Sequence, residues 1–303
     1  MSITQSGPIT DHAAMAVVTM VLTNLTLSVA DAIIKVAVAE MPLTQFIFLR
    51  SCITLPLLIV LLRWRFPGKP MRPVHLGWAI ARSSLVLASL LLYYASLPRL
   101  DFSIAAAAYY TIPLFVTVFA ALWTQDRVGI QGWFGVALGF CGVMLMLKPK
   151  AGSIDPAALL PLVSAILYAV AMVMTRTRNR GENPFVLALV FNLIAIFFGG
   201  LGWLVSWSGS GPETLVILSG SWVPSVEVPW AVIGLLSLTM LVGSVGTAAA
   251  YQLGPPPLVS TWDFSYLAFA VLLGVGLFSE TLDLASLLGI ALIPLAGMIV
   301  IRR

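Results

Sequence analysis

Long apolar stretches separated by short polar segments repeat along nearly the whole chain. A helix needs about 20 mostly apolar residues to cross the hydrocarbon core of a bilayer. The apolar stretches are continuous and do not alternate with polar residues, which favours helices over the strands of a membrane barrel. The sequence therefore predicts an all-α integral membrane protein with ten transmembrane helices, at residues 13–39, 44–62, 75–97, 102–123, 129–147, 156–175, 185–206, 229–251, 258–278 and 284–301.

The composition fits a protein that lies within a bilayer. Of the 303 residues, 60% are hydrophobic and only 9% are charged, against about 25% charged in a typical soluble domain. So few charges cannot cover the surface of a soluble protein of this size, which excludes a soluble enzyme and a nucleic-acid binder. The expected partners are the lipid bilayer and a small-molecule substrate. Cys52 and Cys141 lie in apolar runs, so we expect no disulfide framework.

The lysine and arginine residues predict the orientation of the chain in the membrane. Positively charged residues are enriched in cytoplasmic loops. With the N-terminus inside, ten of the 16 Lys and Arg residues fall in inner loops, three fall in outer loops and three lie within spans. We therefore expect both chain termini in the cytoplasm and the protein in the cell inner membrane.

The two halves of the chain, residues 1–150 and 151–303, follow the same order of elements. A shift of 154 residues places Asp126 on Glu280, each at the end of a span and before the next. Each half holds five spans, and an odd number of spans inserts two tandem copies in opposite orientations. Inverted repeats are typical of secondary transporters, which bind substrate near the membrane midplane between the repeats. The sequence therefore predicts two inverted five-helix repeats.

Several short motifs resemble those of the EamA type of the drug/metabolite transporter superfamily. They are YYASLPRL at the end of span three, AAAAYYTIPLF in span four, and an acidic residue followed by a glycine, Asp126 with Gly135 and Glu280 with Gly289. The end of span four departs from the family pattern, because Gln125 and Asp126 stand where a glutamate is usual. The resemblance covers nearly all ten spans. It implies transport of amino acids, nucleobase-like metabolites, vitamins or drugs by alternating access of two bundles, with spans five and ten as a scaffold.

Five ionisable residues lie inside the predicted spans: Asp31, Lys35, Arg50, Arg82 and Asp263. Each costs about 2.5–3.5 kcal/mol near a helix centre, so each needs a partner, a cavity or a function. Helix geometry places Asp31 at a similar depth to Arg50, and Asp263 at a similar depth to Arg82, so two pairs can form. One interpretation is that these pairs fix helix register while Lys35 extends towards the membrane surface. The other is that Asp31 and Lys35 face a cavity and bind or gate the substrate.

Aromatic residues deep in the spans predict a binding surface. Tyr109 and Tyr110 lie in span four, and Trp262 and Tyr266 lie one turn apart in span nine. A tyrosine offers an apolar ring and a hydroxyl that orients a ligand. The alternative is an aromatic belt at the membrane interface, which also fits Tyr94 at the end of span three. The predicted substrate-binding residues are Asn24, Asp31, Lys35, Arg82, Tyr94, Tyr109, Tyr110, Tyr168, Trp262, Asp263 and Tyr266.

The motifs that the sequence lacks narrow the possible functions. It contains no P-loop, no HExxH motif and no cluster of Cys and His, so we expect no ATP hydrolysis, no metal and no cofactor. The leading hypothesis is a secondary-active exporter of small organic solutes, amino-acid-like, aromatic or amphipathic, acting as a monomer or a homodimer. Two alternatives stay open: an integral-membrane enzyme for a lipid or prenyl substrate, and an accessory membrane subunit. The scattered carboxylates disfavour the enzyme, which needs them clustered to hold Mg²⁺.

Overall fold

The structure is a computed structural model that describes residues 13–68, 70–123, 130–147, 156–179, 182–208, 222–225, 228–253, 262 and 264–301. The regular structure within these residues is helical throughout. A short 3₁₀ turn at Pro156–Leu159 precedes α7. The α-helices are α1 (Ala13–Glu40), α2 (Leu43–Arg65), α3 (Leu76–Ser96), α4 (Phe102–Tyr109), α5 (Ile112–Trp123), α6 (Ile130–Leu147), α7 (Leu160–Thr177), α8 (Pro184–Ser208), α9 (Trp230–Leu253), α10 (Ser265–Phe278) and α11 (Leu284–Ile301).

The lengths of the helices match a protein that crosses a membrane several times. Five helices, α1, α2, α3, α8 and α9, are long and apolar enough to cross by themselves. Five shorter apolar segments, of 10–17 residues, lie in α4 with α5, and in α6, α7, α10 and α11. The prediction of a helical membrane protein is therefore confirmed. The count of ten spans and the inverted repeat stay predictions.

The span predicted at 102–123 is not one helix but two. α4 ends at Tyr109, and the ψ angle of 9° at Tyr110 takes the backbone off the helical path before α5 begins. Pro113, the second residue of α5, explains the break. A proline has no amide hydrogen to donate, and inside a helix its ring clashes with the carbonyl group four residues earlier. The break leaves two tyrosines at the junction of the half-helices.

Helices α6 and α11 pack along each other, and glycines let their backbones come close. A Cβ atom on Gly142 would lie 2.9 Å from the carbonyl oxygen of Gly289 and 3.0 Å from the Cβ of Leu292. Gly139 of the same helix faces Leu114 of α5, whose Cδ1 would lie 2.1 Å from an added Cβ. Small residues at helix contacts are common within membranes, because association there depends on close packing. Both close contacts of α6 are internal to the chain.

The other helices surround a core of buried apolar and aromatic side chains. α3 packs on α7, α1 on α9, and α2 on α8, while α10 fits between α1 and α4. The core includes the fully buried Phe46, Tyr93, Tyr94 and Phe102. Because α1, α3, α4 and α10 converge there, residues far apart in the sequence meet on one wall.

Candidate functional site

A cavity of about 600 Å³ lies among helices α1, α3, α4, α5, α7, α8, α9 and α10. Its walls are mostly apolar and aromatic with few polar groups, which is typical of small-molecule sites. Eight of the eleven predicted substrate-binding residues line it: Asn24, Asp31, Arg82, Tyr94, Tyr109, Tyr110, Tyr168 and Tyr266. Their role in binding stays a prediction, but the structure brings them together.

Asp31 places a carboxylate on the wall of this cavity. The hydroxyl of Tyr266 donates a 2.5 Å hydrogen bond to its Oδ2. The hydroxyl of Tyr94 donates a longer hydrogen bond, of 3.4 Å, to its Oδ1. Both tyrosines are buried. A carboxylate removed from bulk water needs such donors to offset its lost hydration. Asp31 is therefore held from two sides, by α3 and by α10.

The tyrosines stack into a continuous aromatic wall. The rings of Tyr110 and Tyr266 are parallel to within 15° with centroids 4.5 Å apart. Tyr93 and Tyr109 stack at 4.6 Å and 25°, and Tyr168 meets Tyr109 edge-on at 6.0 Å. Both arrangements are favourable for aromatic pairs. In the Tyr110–Tyr266 pair, aromatic residues of the predicted spans four and nine contact each other.

Tyr93 and Tyr94 do not belong to an interfacial belt. Both are about 1% exposed, whereas belt residues lie at the level of the lipid head groups. Trp64, at the end of α2, is 79% exposed and fits that role. The sequence pattern at the end of a span does not distinguish a buried core tyrosine from an aromatic residue of the belt. The burial of the ring depends on which neighbouring helix covers it.

Arg82 and Asn24 bring further polar groups to the cavity. The Nε of Arg82 donates to the hydroxyl of Thr175 on α7 at 3.1 Å. Asn24 donates from Nδ2 to the carbonyl oxygen of Trp262 at 3.3 Å and to the hydroxyl of Ser265 at 3.1 Å. Arg82 therefore joins α3 to α7, and Asn24 joins α1 to the start of α10.

Lys35 does not line the cavity, in contrast to the prediction. Its ammonium group lies 3.4 Å from Oε1 of Glu280 and donates a 2.7 Å hydrogen bond to the carbonyl oxygen of Leu100. It also lies 4.7 Å from the centre of the Phe278 ring. The reason is that one helical turn separates Lys35 from Asp31, and the longer side chain finds a carboxylate beyond the end of α10. The other interpretation, a side chain extended to the membrane surface, stays a prediction.

Glu280 connects this lysine to the start of α4. Its carboxylate accepts hydrogen bonds from the backbone amides of Phe102 and Ser103, the latter at 3.1 Å. Free amides and the helix dipole make the first turn of a helix a favourable place for a carboxylate. We call Lys35, Phe102, Ser103 and Glu280 the Glu280 cluster. It ties α1 and α4 to the segment between α10 and α11.

Trp262, another predicted residue, stands apart from the cavity. The side chain of Trp262 is 44% exposed and does not line it; only its backbone carbonyl takes part, through Asn24. An indole at the start of a span has room on the outside of the bundle, which the sequence pattern does not show. Asp263, the expected partner of Arg82, lies outside the described residues.

Arg50 is not the ion-pair partner of Asp31 that helix depth predicts. Among the described residues, the ion pair within 4.0 Å is that of Lys35 with Glu280. The guanidinium of Arg50 is 1% exposed and lies 5.5 Å from the centre of the Phe46 ring. It lines a second, smaller cavity of about 70 Å³ next to the large one.

Some lining residues were not predicted from the sequence. Tyr93 is one, and the others are mostly apolar: Leu27, Val86, Leu90, Ile112, Phe185, Ala188, Phe191, Met240, Gly243 and Thr247. In a chain with 60% hydrophobic residues, an apolar residue that faces a cavity looks the same as one that faces lipid. Their positions become visible only once the helices are packed.

The fold and the site together define a class: a helical, multi-pass membrane protein with a cavity that fits a small organic solute. Residues 14–148 match the EamA-like transporter family. The resemblance to the EamA type of the drug/metabolite transporter superfamily is thereby confirmed.

Two relatives with names that indicate transport can be aligned with most of the chain. A riboflavin transporter of Vibrio cholerae is 23% identical over 87% of this chain and 85% of its own length. The pseudopaline exporter CntI of Pseudomonas aeruginosa is 23% identical over 91% of this chain and 92% of its own. A solved crystal structure, 18% identical, matches with a TM-score of 0.55 over 95% of both chains and shares the fold. The family match and the names of these relatives point to a membrane transporter of small solutes and not to an enzyme.

Proposed function

We propose that this chain is a secondary-active carrier that exports small organic solutes with aromatic or amphipathic, amino-acid-like character. One observation carries the proposal: the carboxylate of Asp31, held by Tyr94 and Tyr266, lies on the wall of a cavity of about 600 Å³. That volume is within the range of about 300–1,000 Å³ of small-molecule sites. The stacked tyrosines offer flat apolar faces, and Asp31 offers an acceptor for a polar group of the solute.

The solute enters and leaves by alternating access in this proposal. The Glu280 cluster supports it, because it joins elements of both halves at one end of the molecule. Arg82 lies 14 residues before the end of α3, about 21 Å away from that end. At the Arg82 end of the cavity, the lining residues Arg82 and Phe185 are only half-buried. The lining residues Tyr93, Tyr94 and Tyr266, by contrast, are buried. These differences in burial support a carrier that is closed at the Glu280 end and open towards the Arg82 end.

The predicted topology gives these ends a side of the membrane. With both termini in the cytoplasm, the Glu280 end faces outwards and the cavity opens to the cytoplasm of a cell with this chain in its inner membrane. Reporter fusions at residues 1 and 303 test this. We expect a reporter that is active only in the cytoplasm to be active at both positions, and a reporter that is active only outside the cytoplasm to be inactive at both. Two reporters on opposite sides would contradict an inverted pair of five-helix repeats at 1–150 and 151–303.

Flux measurements with the purified chain in liposomes test the function. The solutes to screen are riboflavin, which one relative's name indicates, and aromatic and neutral amino acids, each with and without a pH gradient. We expect saturable flux of at least one aromatic solute without added protein. Absence of flux for every solute, with flux restored by a second subunit, would favour the accessory-subunit hypothesis instead.

A further inference from the structure

Arg50 is a buried cation whose hydrogen-bonding groups are not satisfied by the described part of the chain. It lies on α2 and is 1% exposed. Its Nη1 and Nη2 have no hydrogen-bond partner among the described residues. Its backbone carbonyl, by contrast, accepts from the hydroxyls of Thr54 and Ser237. The backbone is therefore fixed while the charged end of the side chain keeps free donors.

A buried guanidinium with unsatisfied Nη1 and Nη2 donors is stabilised by a bound anion that accepts hydrogen bonds from them. A charge removed from water loses several kcal/mol of hydration, and a nearby opposite charge with good hydrogen bonds compensates for it. Phe46 contributes only a ring contact at 5.5 Å. Asp31 and Tyr94 act on the Arg50 side chain, but neither is a hydrogen-bond partner of its Nη1 or Nη2. None of these contacts supplies the two parallel acceptors that a guanidinium fork favours.

The small cavity in front of Arg50 has room for an acidic group of a solute. The small cavity has a volume of about 70 Å³ and is lined by Arg50, Thr54, Leu58, Ala188, Phe191, Asn192, Met240 and Leu241. The share of one water in liquid volume is about 30 Å³, so a carboxylate or a phosphate fits there. Apart from Arg50, the polar lining residues are the neutral Thr54 and Asn192. None of the described residues that line it is acidic.

The small cavity adjoins the large one. Ala188, Phe191 and Met240 line both, so α8 and α9 supply a common wall between them. A solute whose ring lies among the tyrosines would have to pass these shared residues to bring an acidic group to Arg50.

We propose that Arg50 binds the oxyanion of the transported solute, a carboxylate or a phosphate, while the aromatic part of the solute lies against the tyrosine wall. The inference rests on the proposed carrier function and narrows its substrate class to aromatic acids. The arginine fork donates two parallel hydrogen bonds to such an oxyanion. The bound acid then also neutralises the buried charge, which favours loaded over empty carrier at this site.

Three probes of similar size separate charge from shape: phenylacetate, phenyl phosphate and the neutral phenylacetamide. Binding to the full chain in detergent is measured by calorimetry, and flux is measured in liposomes. We expect at least one of the two anions to bind about tenfold or more tightly than phenylacetamide, because hydrogen bonds to charged groups are the strong ones. Which anion is preferred distinguishes a carboxylate site from a phosphate site.

Variants of Arg50 locate the effect. We expect Arg50→Gln to remove the preference for the anion over phenylacetamide, and Arg50→Lys to keep part of that preference. Arg65→Gln is the matched control on the same helix, since Arg65 is exposed and stacks on Phe66. Leu58→Phe, which fills the small cavity while keeping Arg50, should weaken binding of the anion alone. Size-exclusion elution and circular dichroism check that each variant folds.

The results distinguish this inference from the carrier function. A native chain that transports neutral aromatic solutes but shows no preference for either anion keeps the carrier function and overturns the role of Arg50. An Arg50→Gln chain with the native preference overturns it too. A native chain that binds the anions but moves no solute in liposomes contradicts the carrier function and leaves the binding site in place.

Discussion

The hydroxyl of Tyr266 donates a 2.5 Å hydrogen bond to the carboxylate of Asp31. The two residues are 235 positions apart in the sequence, and the bond joins α10 to α1 on the wall of the large cavity. The Tyr266 ring also stacks on Tyr110 of the segment between α4 and α5. Movement of α10 relative to α1 therefore changes the position of the carboxylate and of the aromatic wall together.

Replacing Asp31 by asparagine tests the role of its charge. An amide is nearly isosteric, but only its oxygen accepts a hydrogen bond, and its NH2 group faces the other tyrosine hydroxyl as a donor. The remaining bond has no charged partner, and such bonds are about half as strong. We expect Asp31→Asn to reduce flux about tenfold or more while insertion and yield stay normal. Flux in liposomes, normalised to the amount of inserted protein, gives the answer.

Asp283→Asn is the matched control for that experiment. Asp283 accepts a 3.1 Å hydrogen bond from the amide of Ser286 at the start of α11, and asparagine caps a helix about as well as aspartate. It should leave flux unchanged. Native flux in the Asp31→Asn chain would instead assign Asp31 a structural role.

Two variants of Tyr266 separate its hydroxyl from its ring. Tyr266→Phe removes the hydrogen bond to Asp31 but keeps the stack on Tyr110, whereas Tyr266→Leu removes both. We expect both variants to lower the maximal flux. Only the leucine variant should raise the ratio of the KM for aromatic solutes to the KM for aliphatic solutes, because stacking contributes about 0.5–1.5 kcal/mol. Equal KM ratios in the two variants would exclude the ring from solute binding.

Weakening the Glu280 cluster should open the cavity at its end. Glu280→Gln removes the charge that faces Lys35 at 3.4 Å and weakens the bonds to the amides of α4, by about 1–3 kcal/mol in total. We expect faster labelling of a cysteine at the cavity residue Leu90 by a membrane-impermeant maleimide added at that side. The labelling uses the Leu90→Cys variant in a chain with Cys52→Ser and Cys141→Ser.

Glu182→Gln is the control for the labelling experiment. Glu182 accepts a hydrogen bond from the backbone amide of His75 at 2.8 Å. This bond joins the segment between α7 and α8 to the start of α3 and does not involve a residue of the Glu280 cluster. Its loss should leave the labelling rate unchanged. If Glu280→Gln labels at the native rate as well, the cluster is a fixed structural contact and not part of a gate.

Asp101, the residue before α4, should make stability depend on pH. Burial and the neighbouring Glu280 raise the pKa of its carboxyl above the ordinary value of 3.8, while Lys35 acts in the opposite direction. The folded chain then holds this proton more tightly than the unfolded chain. Its stabilising contribution is therefore largest below the ordinary value and is lost as pH rises through the raised one.

It follows that Asp101→Asn should raise the melting temperature at neutral pH. The difference from the native chain should shrink as the pH falls towards 3.8. Thermal unfolding across this pH range measures it, with Asp283→Asn as the reference. A difference that grows on acidification would reverse the sign and contradict the raised pKa.

The contact between α6 and α11 should not tolerate a methyl group. In Gly142→Ala the new Cβ would lie 2.9 Å from a backbone oxygen, that of Gly289, so relief requires a shift of the whole helix. We expect a loss of about 1–3 kcal/mol in the free energy of unfolding, measured by denaturation in detergent. Gly77→Ala is the control, because nothing lies within 4 Å of its added Cβ.

The sequence predicts the polar part of the cavity better than its other parts. Asp31, Tyr109, Tyr110 and Tyr266 stand out because a polar group at membrane depth is costly unless it faces a cavity or a partner. Helix depth cannot choose between partners, and for that reason it assigned Arg50 to Asp31. The observed partner of Lys35 is Glu280, 245 residues away, and only the packing of α1 beside α10 brings the two together.

The break between α4 and α5 shows a second limit of sequence interpretation. Pro113 favours a kink, but an uninterrupted apolar run from 102 to 123 still fits a single span. Whether the chain bends smoothly or separates into two half-helices depends on what satisfies the freed backbone groups. Here Tyr110 and Thr111 donate their amides back to the last turn of α4.

None of the described residues of α6 and α11 lines the large cavity, although these two helices pack so closely. Under the proposed function, substitutions that alter the choice of solute and substitutions that alter the packing of these two helices fall on separate parts of the chain. A library for directed evolution of new cargo should accordingly leave α6 and α11 untouched and diversify the tyrosine wall.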